Sequence, residues 1–192
     1  MDFDKIITSN NNKYTKLAEI LKKIIDDCKI DQSKYFILGS YALRKQREIN
    51  DLDINMDENE FDKLIKCVKY GKRELYNNQI RWFFDLTDKY KEIDPTANDF
   101  SIEIFRKAPL DGFPNGNYSL QRLKENNALT TDNYGHQYFK LKTLLEWKKT
   151  MNRPKDQDDI KLIEKLLGKI QDGGYFHKYI KYKSKYLNLK NY

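Results

Sequence analysis

Residues 35–57 read YFILGSYALRKQREINDLDINMD. Two short runs within this stretch, on either side of a polar turn, decide the fold of the chain. The first run, residues 34–38, is rich in aromatic and apolar side chains and predicts a short strand. The second run, residues 51–57, places carboxylate or amide side chains at every other position, with apolar side chains between them. Side chains alternate between the two faces of a strand. The second run therefore predicts a strand with one buried face and one face lined by carboxylates.

The residues around the turn predict a phosphate and metal site. Gly39 allows the backbone to approach a ligand closely. Ser40 is predicted to begin a helix that continues to about Arg47, where it would offer a hydroxyl and backbone N–H groups to a phosphate. Asp51 and Asp53 lie two residues apart on a strand, so their carboxylates face the same side. Neighbouring carboxylates repel each other unless a cation lies between them, and Mg²⁺ prefers such oxygen ligands.

The Gly39-Ser40 pair and Asp51-Leu52-Asp53 resemble the Gly-Ser and Asp-x-Asp signature of the polymerase-β-type nucleotidyltransferase superfamily. Residues 41–44 are similar to those that follow the Gly-Ser pair in its minimal and antibiotic-modifying branches. The resemblance implies an α+β fold, with a small mixed sheet and an N-terminal helix followed by a helical lobe. It also implies an enzyme that binds a nucleoside triphosphate with Mg²⁺ or Mn²⁺. Such an enzyme transfers a nucleoside monophosphate to a hydroxyl acceptor and releases pyrophosphate.

That family uses a third carboxylate on a later strand as base and metal ligand. Glu103, a single acid among apolar residues in the predicted strand 100–106, is the best match, and Asp85 is the alternative. The resemblance thus implies that Asp51, Asp53 and Glu103 are the catalytic and metal-binding residues.

A second, later pattern is also similar to the family. Lys142, then Arg153-Pro154-Lys155-Asp156 and Asp159, resembles the Lys and Arg-x-(Lys/Arg)-Asp-x-x-Asp pattern of its helical lobes. The two acids of this pattern would fix the helix and orient the basic residues. The nucleotide-binding residues that the resemblance implies are Gly39, Ser40, Arg44, Lys142 and Arg153.

The rest of the chain divides into two predicted lobes, an α/β core at residues 1–116 and a helical lobe at residues 117–192. Apolar periodicity predicts helices in the core at 13–28 and 58–70, and β-rich runs predict strands at 80–87 and 100–106. From Tyr118 onward only helices are predicted, at 137–151, 155–170 and 175–192. The last of these is basic and rich in tyrosine, and predicts either a nucleic-acid arm or a stripe packed on the body.

Composition narrows the partners without selecting one. The 192 residues carry a net charge of +7, which favours anionic partners such as nucleotides or RNA. The acceptor therefore stays open among a small molecule, a protein side chain and an RNA end. An inactive fold of this kind that binds nucleotide or nucleic acid, or regulates a partner, is the alternative function. The spacing of Asp51, Asp53 and Asn55 also occurs in calcium loops, but position 56 is Met where such a loop needs Gly.

The two cysteines, Cys28 and Cys67, have no second Cys or His at ligand spacing, so neither a disulfide framework nor a zinc site is predicted. A reducing, cytoplasmic compartment is the resulting expectation. No signal peptide or membrane span is predicted, because no apolar run is long enough. The Lys-Tyr-rich ending is similar to the endings of proteins from large DNA viruses of protists, which implies a viral protein acting in a host cell.

Overall fold

The computed structural model describes residues 3–76, 79–107 and 120–172. Two predictions, the turn-rich link at residues 109–116 and the basic helix at 175–192, lie outside these residues. Within the described part the fold is α+β, as the sequence predicts. No helix of this part is both long and apolar enough to cross a membrane.

Seven strands make up the sheet of the described chain. They are β1 (Tyr35–Ile37), β2 (Asp51–Met56), β3 (Lys72–Tyr76), β4 (Gln79–Asp85), β5 (Ser101–Arg106), β6 (Leu129–Thr131) and β7 (Gln137–Phe139). The strand order is β3-β4-β5-β2-β1-β7-β6. The pairs β2–β5 and β1–β7 are parallel and the others are antiparallel. The prediction of a mixed sheet is therefore confirmed.

Within the same described residues, seven α-helices and three short 3₁₀ helices accompany the sheet. The α-helices are α1 (Asp4–Ile7), α2 (Lys13–Asp27), α3 (Glu58–Cys67), α4 (Thr87–Lys91), α5 (Leu120–Glu125), α6 (Leu141–Met151) and α7 (Gln157–Asp172). The 3₁₀ helices are Gln32–Lys34, Gly39–Leu43 and Pro154–Asp156. The predicted helices at 13–28, 58–70 and 155–170 correspond to α2, α3 and α7, with ends that differ by a few residues.

Each face of the sheet carries its own core. On one face, Leu52 and Ile54 of β2 pack with Ile102 and Ile104 of β5 against α2 and α3. On the other face, Phe36 and Leu38 pack with Phe139 and with apolar residues of α6 and α7. The carboxylates of β2 alternate with its buried residues, so they lie on this second face. The helices α6 and α7 cover the β1–β7 side of that face, next to the carboxylates of β2.

Two expectations about secondary structure are wrong. The helix predicted from Ser40 to about Arg47 is not an α-helix, because residues 39–43 form a single 3₁₀ helix that ends in turns. The chain after Tyr118 is also not all helical, because β6 and β7 form a hairpin that joins the sheet through β1. Asp132 makes the hairpin turn, since its Oδ1 accepts hydrogen bonds from the backbone N–H groups of Tyr134 and His136. The sheet thus draws strands from both sides of the predicted lobe boundary at residue 116.

The prediction of two unpaired cysteines is also wrong. Cys28, at the C-terminus of α2, and Cys67, the last residue of α3, form a disulfide, with Cα atoms 5.6 Å apart. The bond joins the ends of two helices that pack on the same face of the sheet. The expectation of a reducing compartment depended on unpaired thiols and loses that support, because disulfides persist in oxidising environments.

The disulfide is expected to contribute measurably to stability. The cysteines are 39 residues apart, so the bond removes substantial conformational entropy from the unfolded chain. The Cys28→Ser substitution should lower the free energy of unfolding by about 2 to 4 kcal/mol in urea denaturation. Reduction of the wild type should produce the same loss, and the reductant should leave the variant unchanged. An effect of reductant on the variant would contradict this assignment.

A buried histidine links the hairpin to the core. His136 is fully buried, with Nδ1 2.6 Å from the Tyr35 hydroxyl and Nε2 3.0 Å from the backbone oxygen of Ala18. A carbonyl oxygen only accepts, so Nε2 carries the proton and Nδ1 accepts the hydrogen bond from Tyr35. Burial lowers the pKa of His136 below its ordinary value of 6.5. The structure therefore favours the neutral ring.

This neutral histidine is expected to make stability depend on pH. Below pH 6.5 the unfolded chain binds a proton at His136 that the native protein excludes, so the free energy of unfolding should fall as the pH decreases. The slope from this group approaches about 1.4 kcal/mol per pH unit at most. Urea denaturation at pH 7.5 and pH 5 should show a smaller difference for His136→Gln than for the wild type. An equal difference would contradict the prediction.

Candidate functional site

Three acidic side chains come together on adjacent strands at the centre of the sheet. Asp53 of β2 is directly paired with Glu103 of β5, and Asp51 is paired with Ser101. Residues paired in this way lie about 4.8 Å apart and share a face. The structure thus brings the three acids that the sequence predicts, Asp51, Asp53 and Glu103, to one face of neighbouring strands.

The turn after β1 lies against the same carboxylates. Gly39 has a φ of +63°, and a Cβ placed on it would lie 3.5 Å from Oδ2 of Asp53. The backbone N–H of Leu38 donates a 2.7 Å hydrogen bond to the backbone oxygen of Asp53. A glycine is therefore suited to this position on account of its left-handed backbone, and a ligand bound by Asp53 would also lie close to Gly39.

Burial and neighbouring carboxylates raise the pKa of all three acids. Burial, with the nearby carboxylates of Asp51 and Glu103, raises the pKa of Asp53 from 3.8 to about 7. Burial also raises the pKa of Asp51 and of Glu103, and Asp99 adds to both shifts. Acids in such an arrangement are stabilised by a cation.

Glu103 already has a cationic partner. Arg81 of β4 contacts Oε2 of Glu103 through Nη1, and both side chains are largely buried. Among the residues that the structure describes, no three acid, histidine or cysteine side chains are arranged as ligands of one ion.

The alternative third acid takes a different role. Asp85 is exposed, and its Oδ1 accepts a hydrogen bond from the backbone N–H of Thr87 at the start of α4. Asp99 is the additional acid near the site, because it raises the pKa of both Asp51 and Glu103. Its Oδ1 accepts a 2.7 Å hydrogen bond from the Ser101 hydroxyl.

Basic side chains of the helical lobe and of the turn face these acids. Lys155 and Arg153 lower the pKa of Asp53, and Lys155 and Arg47 lower that of Asp51, against the larger effect of burial. Acidic and basic side chains therefore influence one another at this end of β2. Together they suit an anion that carries a divalent cation, such as a nucleoside triphosphate.

A network of ion pairs fixes the turn to the helical lobe. Asp159 of α7 accepts a 3.0 Å hydrogen bond from the Ser40 hydroxyl and a forked ion pair from Arg47, at 2.8 and 2.9 Å. Lys148 of α6 is buried, with Nζ 2.9 Å from Asp159 and 2.6 Å from Asp156. The hydroxyl of Ser40 therefore points to the lobe, rather than outward to a phosphate as the sequence suggests.

The two acids of this network are ionised. Burial acts to raise the pKa of Asp156, but hydrogen bonds from Arg153 and Lys148 outweigh it and the net pKa is lowered. In Asp159 the partners that outweigh burial are Arg47 and Lys148. Asp156 thus contacts the predicted Arg153, whereas the basic partners of Asp159 are Arg47 and Lys148.

Two predicted nucleotide-binding residues have other surroundings. The guanidinium of Arg44 lies 4.4 Å from the ring centroids of both Tyr41 and Tyr138, and donates to the hydroxyl of Tyr138. Lys142 is exposed on the first turn of α6, beside a hollow that Asn126 and Glu146 also line. The structure shows no contact of either side chain with the three acids, and their roles stay predictions.

Lys155 stood in the Arg-x-(Lys/Arg)-Asp pattern without an assigned role, and two further basic residues of the site, Arg47 and Lys148, were not predicted. Among 36 lysines and arginines, the sequence does not distinguish them from surface residues. Lys148 had one signal, because it stands on the apolar side of α6 next to Trp147, where a lysine needs acidic partners.

A cavity of about 510 Å³ opens on the same face of the sheet, at the end of β2 away from Asp51. Asn55, two residues beyond Asp53, lines it together with Phe36, and Lys34, Lys107 and Lys124 stand around it. Its size is that of a small-molecule site.

No protein-family model, curated protein or solved structure matches this chain.

Proposed function

We propose that this protein is a metal-dependent nucleotidyltransferase that moves a nucleoside monophosphate from a nucleoside triphosphate to a hydroxyl acceptor. One observation carries the proposal: Asp51, Asp53 and Glu103 share one face of adjacent strands, and Arg47, Arg153 and Lys155 lie near enough to lower the pKa of Asp51 or Asp53. The acids suit a divalent cation and the basic residues suit a polyphosphate. The acids alone would indicate only cation binding, and the basic residues alone would indicate only anion binding.

The acids fit Mg²⁺ or Mn²⁺ by their chemistry. They present only oxygen donors, and burial together with their mutual repulsion raises the pKa of Asp53 to about 7, a shift that a bound cation would oppose. When bound, the ion would supply Lewis-acid stabilisation of the phosphate oxygens. Asp51 and Asp53 would hold it, and Glu103 would do so after leaving Arg81.

The reaction is a displacement at the α-phosphorus. The acceptor oxygen forms a bond to that phosphorus, the bond to the bridging oxygen of the leaving group breaks, and pyrophosphate departs. Glu103 takes the proton of the acceptor hydroxyl, and burial, which raises the pKa of Glu103, makes it a stronger base. Arg153 and Lys155 face the leaving pyrophosphate and compensate its charge.

The acceptor has room on the far side of the acids. The cavity beyond Asn55 lies along the same strand as Asp53, and its three lysines outnumber its two acids, Asp57 and Glu125, which favours an anionic acceptor such as a nucleotide or an RNA end. Small-molecule and protein acceptors remain in the proposal, because the cavity also admits a side chain or a small polyol.

The second candidate is a fold of this kind that binds nucleotide without chemistry. It is favoured by one observation, the ion pair of Glu103 with Arg81, which occupies the third acid. In that case the basic residues would bind the phosphates and no acceptor would react.

The test follows label from each of four α-³²P nucleoside triphosphates with Mg²⁺ and an extract rich in acceptors, together with pyrophosphate release. The proposal predicts a labelled product from the wild type and at least a 1000-fold loss for Asp51→Ala with Asp53→Ala. Asp158→Ala, which removes a fully exposed acid, is the control and should keep activity. Nucleotide binding without label transfer by the wild type would favour the second candidate.

A further inference from the structure

Arg81 is shared between two carboxylates on the strands beside it. Its Nη1 contacts Glu103, and its Nη2 and Nε lie 2.8 and 3.2 Å from Oε2 of Glu74. Arg81 is paired directly across the strands with Glu74, and Glu103 lies diagonally across from it on β5. The side chain of Arg81 is 12% exposed and that of Glu103 is 18% exposed, so water screens their attraction only partly.

This arrangement allows Arg81 to release Glu103 at modest cost. The guanidinium also lies 4.8 Å from the ring centroid of Phe83, so the aromatic ring and Glu74 hold it independently of Glu103. If Glu103 turned away, Arg81 would keep a charged partner. An arginine whose only partner was Glu103 would be left buried and unpaired, which is costly.

We propose that Arg81 is the counter-ion of Glu103 in the metal-free protein and that it competes with divalent cations for this carboxylate, so that Arg81 sets the metal affinity of the site. The proposal rests on the proposed function, because it assumes that Glu103 joins Asp51 and Asp53 around a metal. Without Arg81, Glu103 would lose its ion-pair partner beside two other acids. With Arg81, the metal-free site is stabilised and each cation must displace one ion pair.

The experiment measures the binding of Mn²⁺ alone, with free Mn²⁺ followed by electron paramagnetic resonance. Arg81→Gln should bind Mn²⁺ about tenfold more tightly than the wild type, the effect of one charge-assisted hydrogen bond. Arg81→Lys keeps the charge but loses the fork between two glutamates, so its gain should be smaller. Glu103→Gln should abolish the gain of Arg81→Gln in the double variant.

Arg73→Gln is the matched control. Arg73 precedes Glu74 on β3 and is paired with Trp82, so it lies on the other face of the sheet from Arg81. The Arg73→Gln substitution removes the same charge as Arg81→Gln and should change the affinity for Mn²⁺ less than twofold. A thermal melt of each variant shows that it is folded, and Arg81→Lys tests the proposal if Arg81→Gln does not fold.

The outcomes separate this inference from the proposed function. Equal affinity of Arg81→Gln and wild type, or a gain that persists in the Glu103→Gln background, would overturn the role of Arg81. If Mn²⁺ binding is still lost in Asp51→Ala with Asp53→Ala, the metal site itself stands. Failure of every protein to bind Mn²⁺ would overturn the inference and the metal-dependent function together.

Discussion

Replacing Asp53 by Asn will stabilise the metal-free protein at pH 8, by about 2 to 4 kcal/mol in the free energy of unfolding. Burial and the neighbouring acids raise the pKa of Asp53 from 3.8 to about 7. Between these two values the native protein binds a proton that the unfolded chain does not, so stability falls as the pH rises. Above pH 7 the full penalty is present, and Asn removes it.

The measurement is urea denaturation of wild type and Asp53→Asn in a chelating buffer, at pH 8 and at pH 4.5. The gain should be large at pH 8 and small at pH 4.5, because the carboxyl is mostly protonated in the native protein there. Addition of Mg²⁺ at pH 8 should stabilise the wild type and leave the variant unchanged. Asp158→Asn, at a fully exposed position, should change neither. A variant less stable than wild type at pH 8 would show that the charge of Asp53 is compensated.

A gain in stability on replacing Asp53 would show that its charge serves binding and not folding. An acid that is retained although it destabilises the free protein has a role that folding does not explain. The catalytic assay alone cannot show this, because a variant that loses activity can also have lost its fold.

The strand that carries Asp51 and Asp53 was predictable from the sequence for a local reason. Alternation of acids with Leu52 and Ile54 depends only on the two-residue period of a strand. Glu103 was predictable in the same way, as one acid within an apolar run. In each case the residues that decide the structure are adjacent in the chain.

The features that the sequence did not predict depend on distant partners. Arg81 meets Glu103 across 22 residues, and Cys28 meets Cys67 across 39. No local pattern distinguishes these residues from an ordinary surface arginine or an unpaired thiol. The strand β7 was assigned to a helix because residues 137–139 directly precede α6, and pairing with β6 and with Ile37 makes them a strand.

The Gly-Ser turn combines both situations. Gly39 was predicted to lie against the site, and its backbone does so beside Asp53. The hydroxyl of Ser40 was predicted to be offered to a phosphate, but it is hydrogen bonded to Asp159, 119 residues away. The five-residue 3₁₀ helix thus takes its position from the helical lobe, which makes the geometry of the proposed site dependent on that lobe.

Replacing Lys148 by Met will lower the free energy of unfolding by about 3 to 5 kcal/mol, because it leaves Asp156 and Asp159 buried without their shared cation. Lys148 is 2% exposed and lies within 3 Å of both acids. Arg153 and Arg47 remain as partners on the outer side of the network, so the protein should still fold.

The neighbouring residue gives a matched control. Lys149 pairs with Glu164 at 2.6 Å, but both side chains are about half exposed, so Lys149→Met should cost less than 1 kcal/mol. Urea denaturation measures both variants at pH 7.5. Equal losses would contradict the structure at Lys148. Since Asp159 also holds Ser40 and Arg47, Lys148→Met should reduce nucleotidyl transfer as well, while Lys149→Met leaves it unchanged. A loss of stability confined to Lys148→Met, together with a loss of transfer, would tie the buried ion network of the lobe to the turn beside Asp53.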